Sequence, residues 1–406
     1  MNTVTDPKVT GSAPKVEDAW RSFPGAQTQV YMDVAARGLM PDCTKAALEA
    51  HIAEMASGKV DKKAWFEGIE RLRDRFARSI GATADEIAFA KNITEGLNMI
   101  AASLPWQPGD NIVMCPEIEH PANVYPWLNQ QRHGVEIRMV EPQAGVLPVD
   151  AMAARIDART RIVSAATVSF TPGFRTDLAT LGRACRARGT MLVVDAAQSA
   201  GILATDVDAL GIDALSCSTQ KGVCGIYGMG LLYVRRERAE KIEPAYLSRF
   251  GIDLGDASEA DMGFEYRLAP GARRFDVGNF NFTACVAADA SLAFFGHYDA
   301  HALERYVLGL ATQLRRGLAD LGLPVIGGIE GPHLAHIVTV GNLGAGGHDS
   351  TSDGRMQALA DALIAHGVKF SIRRGVLRFS LHAYNRPADV ERVIALARDW
   401  ANGKAA

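Results

Sequence analysis

The chain has 406 residues, 48% hydrophobic and 22% charged, enough for one large core and a second, smaller one. A formal net charge of −3 with interspersed signs gives no field for a polyanion, and the basic pairs Arg273-Arg274 and Arg373-Arg374 are too short for a nucleic-acid stripe. Six scattered cysteines without a CxxC pair, a polar N-terminus and no bilayer-length apolar run predict a cytoplasmic protein with reduced thiols, binding neither nucleic acid nor membrane.

Residues 1–28 hold Pro7, Gly11, Pro14, Pro24 and Gly25 among polar residues and predict an extended arm. From Tyr31 a strand-like start breaks into Ala35-Ala36-Arg37-Gly38, small residues that make either a turn or the wall of a pocket. Apolar residues then recur at helical spacing over 44–57 and 61–80, with Trp65, Ile69, Leu72, Phe76 and Ile80 on one face and Gly81 as the stop. A strand over 86–90 leads into Lys91-Asn92-Ile93-Thr94-Glu95-Gly96 and a helix to Leu104. A hydroxyl and free amides at a helix start form a phosphate seat; Asn92 or Thr94 as a plain N-cap accounts for the same residues.

Strands over 111–114, 136–140 and 161–168 alternate with helices over 122–131, 150–156 and 177–188, which predicts a mainly parallel sheet with helices on its faces. Residues 191–194 read as a buried strand ending in Asp195, and 214–218 as another running into Thr219-Gln220-Lys221, with one more strand over 228–234. An acid and an amine thus sit at adjacent strand ends, the edge where open α/β sheets bind ligands. A lysine forming a Schiff base with pyridoxal phosphate, and an aspartate pairing with its pyridinium nitrogen, use this pair of residue types.

Residues 236–282 lose the rhythm and predict a surface excursion. A long helical run over 283–321, a strand over 335–340, a helix over 355–366, a hairpin over 368–381 and a last helix over 387–402 complete the chain. The expected division is an arm (1–28), a large cofactor-binding domain (29–282), and a connecting helix with a small C-terminal domain (283–406). GxSxG and GxxxxGK[ST] motifs are absent, and His333 and His336, three apart on a strand, face opposite ways, so no metal is expected.

Taken in order, Thr94-Glu95, Glu119-His120, Asp195-Ala196-Ala197-Gln198, Ser218-Thr219-Gln220-Lys221, the stretch 275–281 and the stretch 378–385 resemble the class V aminotransferases. The resemblance is to the branch of cysteine desulfurases, selenocysteine lyases and isopenicillin N epimerases, and covers about residues 31–400. It implies an α/β fold of fold-type I with a mainly parallel seven-stranded sheet and a smaller C-terminal α/β domain, pyridoxal 5'-phosphate as cofactor, and a homodimer with active sites at the subunit interface. It further implies Lys221 as the cofactor-bonding lysine and acid/base at the substrate Cα, with Asp195 on the pyridine nitrogen and Gln198 on the ring hydroxyl. Thr94, Ser218 and Gln220 would hold the phosphate, Glu95 would join the cofactor site, and Asn279 would reach the phosphate of the neighbouring subunit. His120 would stack on the ring and complete the catalytic set; Arg378 would clamp the substrate carboxylate, with Ala35 and Phe170 beside the substrate.

Departures bear on the reaction. Gln220 stands where the family usually has histidine, Asn279 where desulfurases tend to have threonine, and Phe170 where they have asparagine. In the strictest register Pro121 takes the place of the stacking histidine, and a shift of one residue gives that place to His120. Desulfurases of this group carry a persulfide-forming cysteine on a loop before the carboxylate arginine; here the interval is Ser371-Ile372-Arg373-Arg374-Gly375, and no cysteine follows Cys285. The expected activity is therefore aminotransfer or β-elimination of C–S type on an α-amino acid, with epimerisation as the alternative, then desulfuration by another thiol or a non-catalytic cofactor-binding regulator. Phe170, Tyr125, Arg175, Arg373 and Arg374 are candidates for the side-chain pocket, and the extra arginines point to an acidic substrate.

Overall fold

A computed structural model describes residues 14–255 and 265–403. Helices α1 (Asp42–Ser57) and α2 (Lys62–Ser79) come first; the apolar face of α2 buries Ile69, Leu72 and Phe76, and Gly81 follows it in the left-handed region. Then come β1 (Ile87–Ala90), α3 (Ile93–Ser103), β2 (Asn111–Met114), β3 (Glu136–Met139), β4 (Thr160–Ala166), α4 (Leu178–Ala187), β5 (Met191–Asp195), β6 (Ala214–Ser218) and β7 (Gly230–Val234). These strands form one seven-stranded sheet in the order β1-β7-β6-β5-β4-β2-β3, parallel except for β7. Central strands β4, β5 and β6 are apolar and buried because helices cover both faces of such a sheet.

After α5 (Phe282–Phe295) and α6 (Ala300–Asp320), β8 (Ile337–Val340), α7 (Gly354–Ala365), β9 (Ser371–Arg373), β10 (Val376–Ser380) and α8 (Pro387–Ala401) build a three-stranded antiparallel sheet, order β8-β10-β9, with its helices. The helical run expected over 283–321 is thus two helices: the chain turns at Gly296, and the Asp299 side chain caps α6 by accepting from the Ala302 N–H at 2.7 Å.

Two other expectations change. Residues 14–28 lie in short helical turns, Val16–Ser22 and Pro24–Thr28, because Val16, Ala19, Phe23 and Ala26 recur on one side and are buried; the Phe23 ring lies 5.1 Å from Tyr384 and 5.6 Å from Phe294. The extended arm is therefore corrected from residue 14 onward, and residues 1–13 lie outside the described residues. Val30–Tyr31 pairs in parallel with Val368–Lys369, so residues 16–35 pack in the same hydrophobic cluster as the C-terminal elements. Residues 122–131 are not one helix, since Pro121 and Pro126 divide them into turns at Pro121–Asn123, Tyr125–Leu128 and Asn129–His133. Among the described residues no helix is long and apolar enough to cross a membrane.

The stretch 236–282 is also more than a surface excursion, because its end is buried. Asp276 pairs with Arg73 at 2.8 Å and accepts from the Phe89 N–H at 2.9 Å, while Arg73 also donates to the Ile87 carbonyl. Both side chains are almost fully buried, so each charge depends on the other. Asp276→Ala, which strands the Arg73 guanidinium, is expected to cost about 3–5 kcal/mol. The measurement is the urea midpoint, with replacement of both residues by apolar side chains recovering most of the loss.

Candidate active site

β5 and β6 are hydrogen-bonded neighbours, Asp195 opposite Ser216, and both end on the same edge of the sheet. Asp195 is buried there, its Oδ1 accepting from the Ala197 N–H at 2.8 Å. Lys221 follows β6 by a turn in which the Cys224 N–H donates to the Lys221 carbonyl at 2.9 Å and the Gly225 N–H to Thr219 at 2.8 Å. The small residues after Tyr31 close this turn from outside: Gly38 N–H donates to the Gln220 carbonyl at 2.9 Å, and a Cβ on Gly38 would lie 2.2 Å from the Lys221 carbonyl oxygen. Ala35-Ala36-Arg37-Gly38 therefore forms both a turn and a pocket wall.

A cavity of about 440 Å³ opens over these strand ends. Its walls bring together Ala35, Thr94, His120, Phe170, Asp195, Gln198, Ser218, Gln220, Lys221 and Arg378, and also Arg373. Thr94 lies in the first turn of α3, whose N-cap is Asn92, with Oδ1 accepting from the Glu95 N–H at 2.9 Å. The cap and the phosphate seat are compatible, since Asn92 serves the backbone while Thr94 lines the cavity. Glu95 is not in the wall; its carboxylate accepts from the Lys91 N–H and is spent on the helix start. Asn279 is exposed and also lies outside the wall. Of the side-chain pocket candidates, Tyr125 is 67% exposed, Arg175 is paired with Glu304, and Arg374 sits in the turn after β9 and donates to the Glu117 carbonyl at 2.6 Å, so none of the three lines the cavity.

Arg378 enters from β10. Its Nε donates to Ser371 Oγ at 3.1 Å and Nη1 to the Phe170 carbonyl at 3.1 Å, and the guanidinium carbon lies 5.1 Å from the Phe170 ring centre. His120 meets Phe170 edge to face at 4.9 Å, and its Nδ1 accepts from the Ala122 N–H at 3.1 Å, which leaves the proton of the neutral ring on Nε2. Gln198 Nε2 donates to the Ala35 carbonyl at 3.2 Å.

Burial sets the charges. It pulls the Lys221 amine down to about 8, with Arg378 and Arg373 adding to the effect and Asp195 opposing it. Burial raises Asp195, against the pull of the Ala197 N–H and Lys221. Burial, followed by the influence of Lys221, His348, Arg378 and Arg373, holds His120 at about 4. Glu119, quoted from sequence only as part of a motif, is buried in the wall and raised to about 8 by burial and then by Asp195; its oxygens accept from the Ala166 N–H at 2.8 Å and Asn123 Nδ2 at 3.1 Å. His348 and Tyr227 also line the cavity, and no local sequence signal marks them.

With this geometry in place, the comparisons are direct. A model of the family described as aminotransferase class-V matches residues 30–393. The chain belongs to the class V aminotransferases. It is 28% identical to a protein named probable cysteine desulfurase from Methanothermobacter thermautotrophicus, over 76% of each chain. It is 26% identical to the uncharacterized aminotransferase YcbU of Bacillus subtilis, over 92% of this chain and 96% of that one. The structure of a cysteine desulfurase from Thermococcus onnurineus NA1, 26% identical, superposes with a TM-score of 0.82 over 97% of this chain and all 100% of that one. The protein is therefore a class V enzyme dependent on pyridoxal 5'-phosphate, with the fold-type I architecture.

The residues present fit that cofactor. Ser218 Oγ and Gln198 Oε1 are buried without a hydrogen-bond partner and belong to the cavity wall. An anion seat at Thr94, Ser218 and the α3 N-terminus lies in the same cavity as a carboxylate suited to a protonated ring nitrogen.

In protein freed of cofactor, the Lys221 amine should titrate near pH 8. Asp195→Asn should move that midpoint lower, since the lost carboxylate no longer favours the ammonium. Competitive acetylation across pH, read by mass spectrometry at Lys221, measures both; a midpoint near the ordinary 10.5 would contradict the burial argument.

Proposed function

We propose that this class V enzyme acts at the Cα of an α-amino acid as an aminotransferase or a β-eliminating lyase, with Lys221 as its base. One observation carries the reading. β9 and β10 are joined by Arg374-Gly375 alone, at φ 51 and 88, so the hairpin before Arg378 leaves no loop to carry a thiol into the cavity. Among the described residues no cysteine lines the cavity, and burial pushes the thiols of Cys217 and Cys224 upward, Cys217 to about 12. Relatives named cysteine desulfurase share the scaffold, and the relative named aminotransferase supports the transfer reading.

When bound, pyridoxal 5'-phosphate supplies an aldehyde that captures the substrate amine and a protonated ring that draws electron density from Cα. Thr94, Ser218 and Gln220 would hold its phosphate, Asp195 its ring nitrogen and Gln198 its hydroxyl, with His120 in the same cavity wall as the residue that would lie against the ring. Arg378 grips the substrate carboxylate, already oriented by Ser371 and the Phe170 carbonyl. Lys221 Nζ, lowered in pKa by burial, then takes the Cα proton. A substrate with a β leaving group would expel it with the electron pair freed at Cα; one without it would be reprotonated away from Cα and, after hydrolysis by water, leave as a keto acid with its nitrogen retained on the cofactor. His120, with its proton on Nε2 in the same cavity, supports epimerisation as the alternative. Asn279, exposed and away from this cavity, is assigned to the phosphate of a second copy in a homodimer.

Titration of the loaded enzyme with L- and D-amino acids, followed by absorbance and product analysis, tests this reading. Conversion to the amine form of the cofactor marks aminotransfer; release of a keto acid and ammonia with the cofactor unchanged marks elimination. Change of optical rotation alone would replace both with epimerisation. Arg378→Ala is expected to weaken amino-acid binding by about 2–5 kcal/mol.

A further inference from the structure

The cavity holds more positive charge than a monocarboxylate needs. Arg373 and Arg378 lie on the two strands of one hairpin: Arg378 is opposite Ser371 and Arg373 opposite Val376, so the two arginines are diagonal neighbours on one face, about 7–8 Å apart at the backbone. Both line the cavity, with His120 and His348 beside them. Like charges at that spacing repel, and Arg373 is the leading charge acting against that of Arg378. The carboxylates of the same wall, Asp195 and Glu119, belong to β5 and to the turn after β2, and Asp33 is buried near Arg378.

Arg373 itself is only partly satisfied. Nη1 donates to the Ile372 carbonyl at 2.7 Å, to the His348 carbonyl at 3.5 Å and to the Asp349 carboxylate, while Nε is buried with no hydrogen-bond partner. Its side chain is 14% exposed, but that of Asp349 is 73% exposed and sits on the glycine-rich segment 341–353. Asp349 therefore stands in solvent, where water competes for its carboxylate, while the Arg373 side chain stays largely covered. His348, on the same segment, stacks on Phe170 with ring centres 6.1 Å apart and planes at 12°, and lines the same cavity as the two arginines.

We propose that Arg373 is a second acid-binding group, which selects an α-amino acid whose side chain ends in a carboxylate, with Asp349 as the counter-ion that this carboxylate displaces. The inference rests on the reading of Arg378 as the α-carboxylate clamp. One carboxylate of the substrate lies on Arg378 and the other on Arg373, so each guanidinium gains an anion and their repulsion is offset. Both charged groups reach one short molecule because they share a strand pair, not because either moves.

Calorimetric titration of the cofactor-loaded enzyme with non-reacting acids tests this apart from turnover. Glutarate or succinate is expected to bind about ten- to a hundredfold more tightly than butyrate. Arg373→Gln brings that ratio towards one, whereas Asp349→Asn, on an exposed segment outside the hairpin, raises it by removing the competing carboxylate. A ratio near one in the unaltered enzyme, or a ratio indifferent to both substitutions, overturns the second seat and leaves the Arg378 clamp standing. Failure of every carboxylate to bind would remove the clamp, and the inference with it.

Discussion

An amine and a carboxylate share one cavity floor because two parallel strands end side by side. β5 delivers Asp195 and the turn after β6 delivers Lys221, and the low-dielectric surroundings push the amine towards its neutral form while the acid pulls it back. That balance is the physical basis of the site. A fully solvated lysine would be a permanent cation and a poor nucleophile; a buried one without Asp195 would lose the partner that supports its charge.

The floor holds its shape because segments remote in sequence are fastened to the lysine turn. Gly38 N–H reaches the Gln220 carbonyl, and the His382 ring, on the chain leaving β10, contacts the Gly222 carbonyl at 2.8 Å. Asn385 Nδ2 donates to the Tyr31 carbonyl at 2.7 Å, tying the N-terminal segment to the same C-terminal elements. Burial keeps His382 neutral, at about 4, so this connection adds no charge beneath Lys221. β10 thus carries both Arg378, which lines the cavity, and, just beyond its end, a contact to the turn that carries Lys221.

Local pattern was enough for the strands and for the residues at their ends. Buried parallel strands are short, continuous β-branched and apolar runs, so Met191 to Val194 announces itself and Asp195 follows; the turn chemistry after Ser218 does the same for Lys221. The hairpin was also legible, because the interval between Ser371 and Arg378 has no room for a longer loop. What escaped was decided by tertiary packing. Pro14, Pro24 and Gly25 read as an extended arm, yet Phe23 gains a buried aromatic cluster that favours helical turns. Glu119 becomes a wall residue because the Ala166 amide and Asn123, both distant or offset in sequence, present donors to it. Glu95 resembles a cofactor ligand by position, but a free backbone N–H one turn earlier claims its carboxylate. His348 comes from a glycine-rich segment whose path no periodicity reveals, and Arg175 is drawn off by Glu304.

The central claim is that Lys221 alone bonds the cofactor. The most direct measurement is borohydride reduction of the pyridoxal phosphate-loaded protein followed by peptide mapping. A single stoichiometric phosphopyridoxyl label on Lys221 is the predicted result. A label on another lysine, or none after loading, would contradict the assignment of the floor between β5 and β6 as the reacting centre.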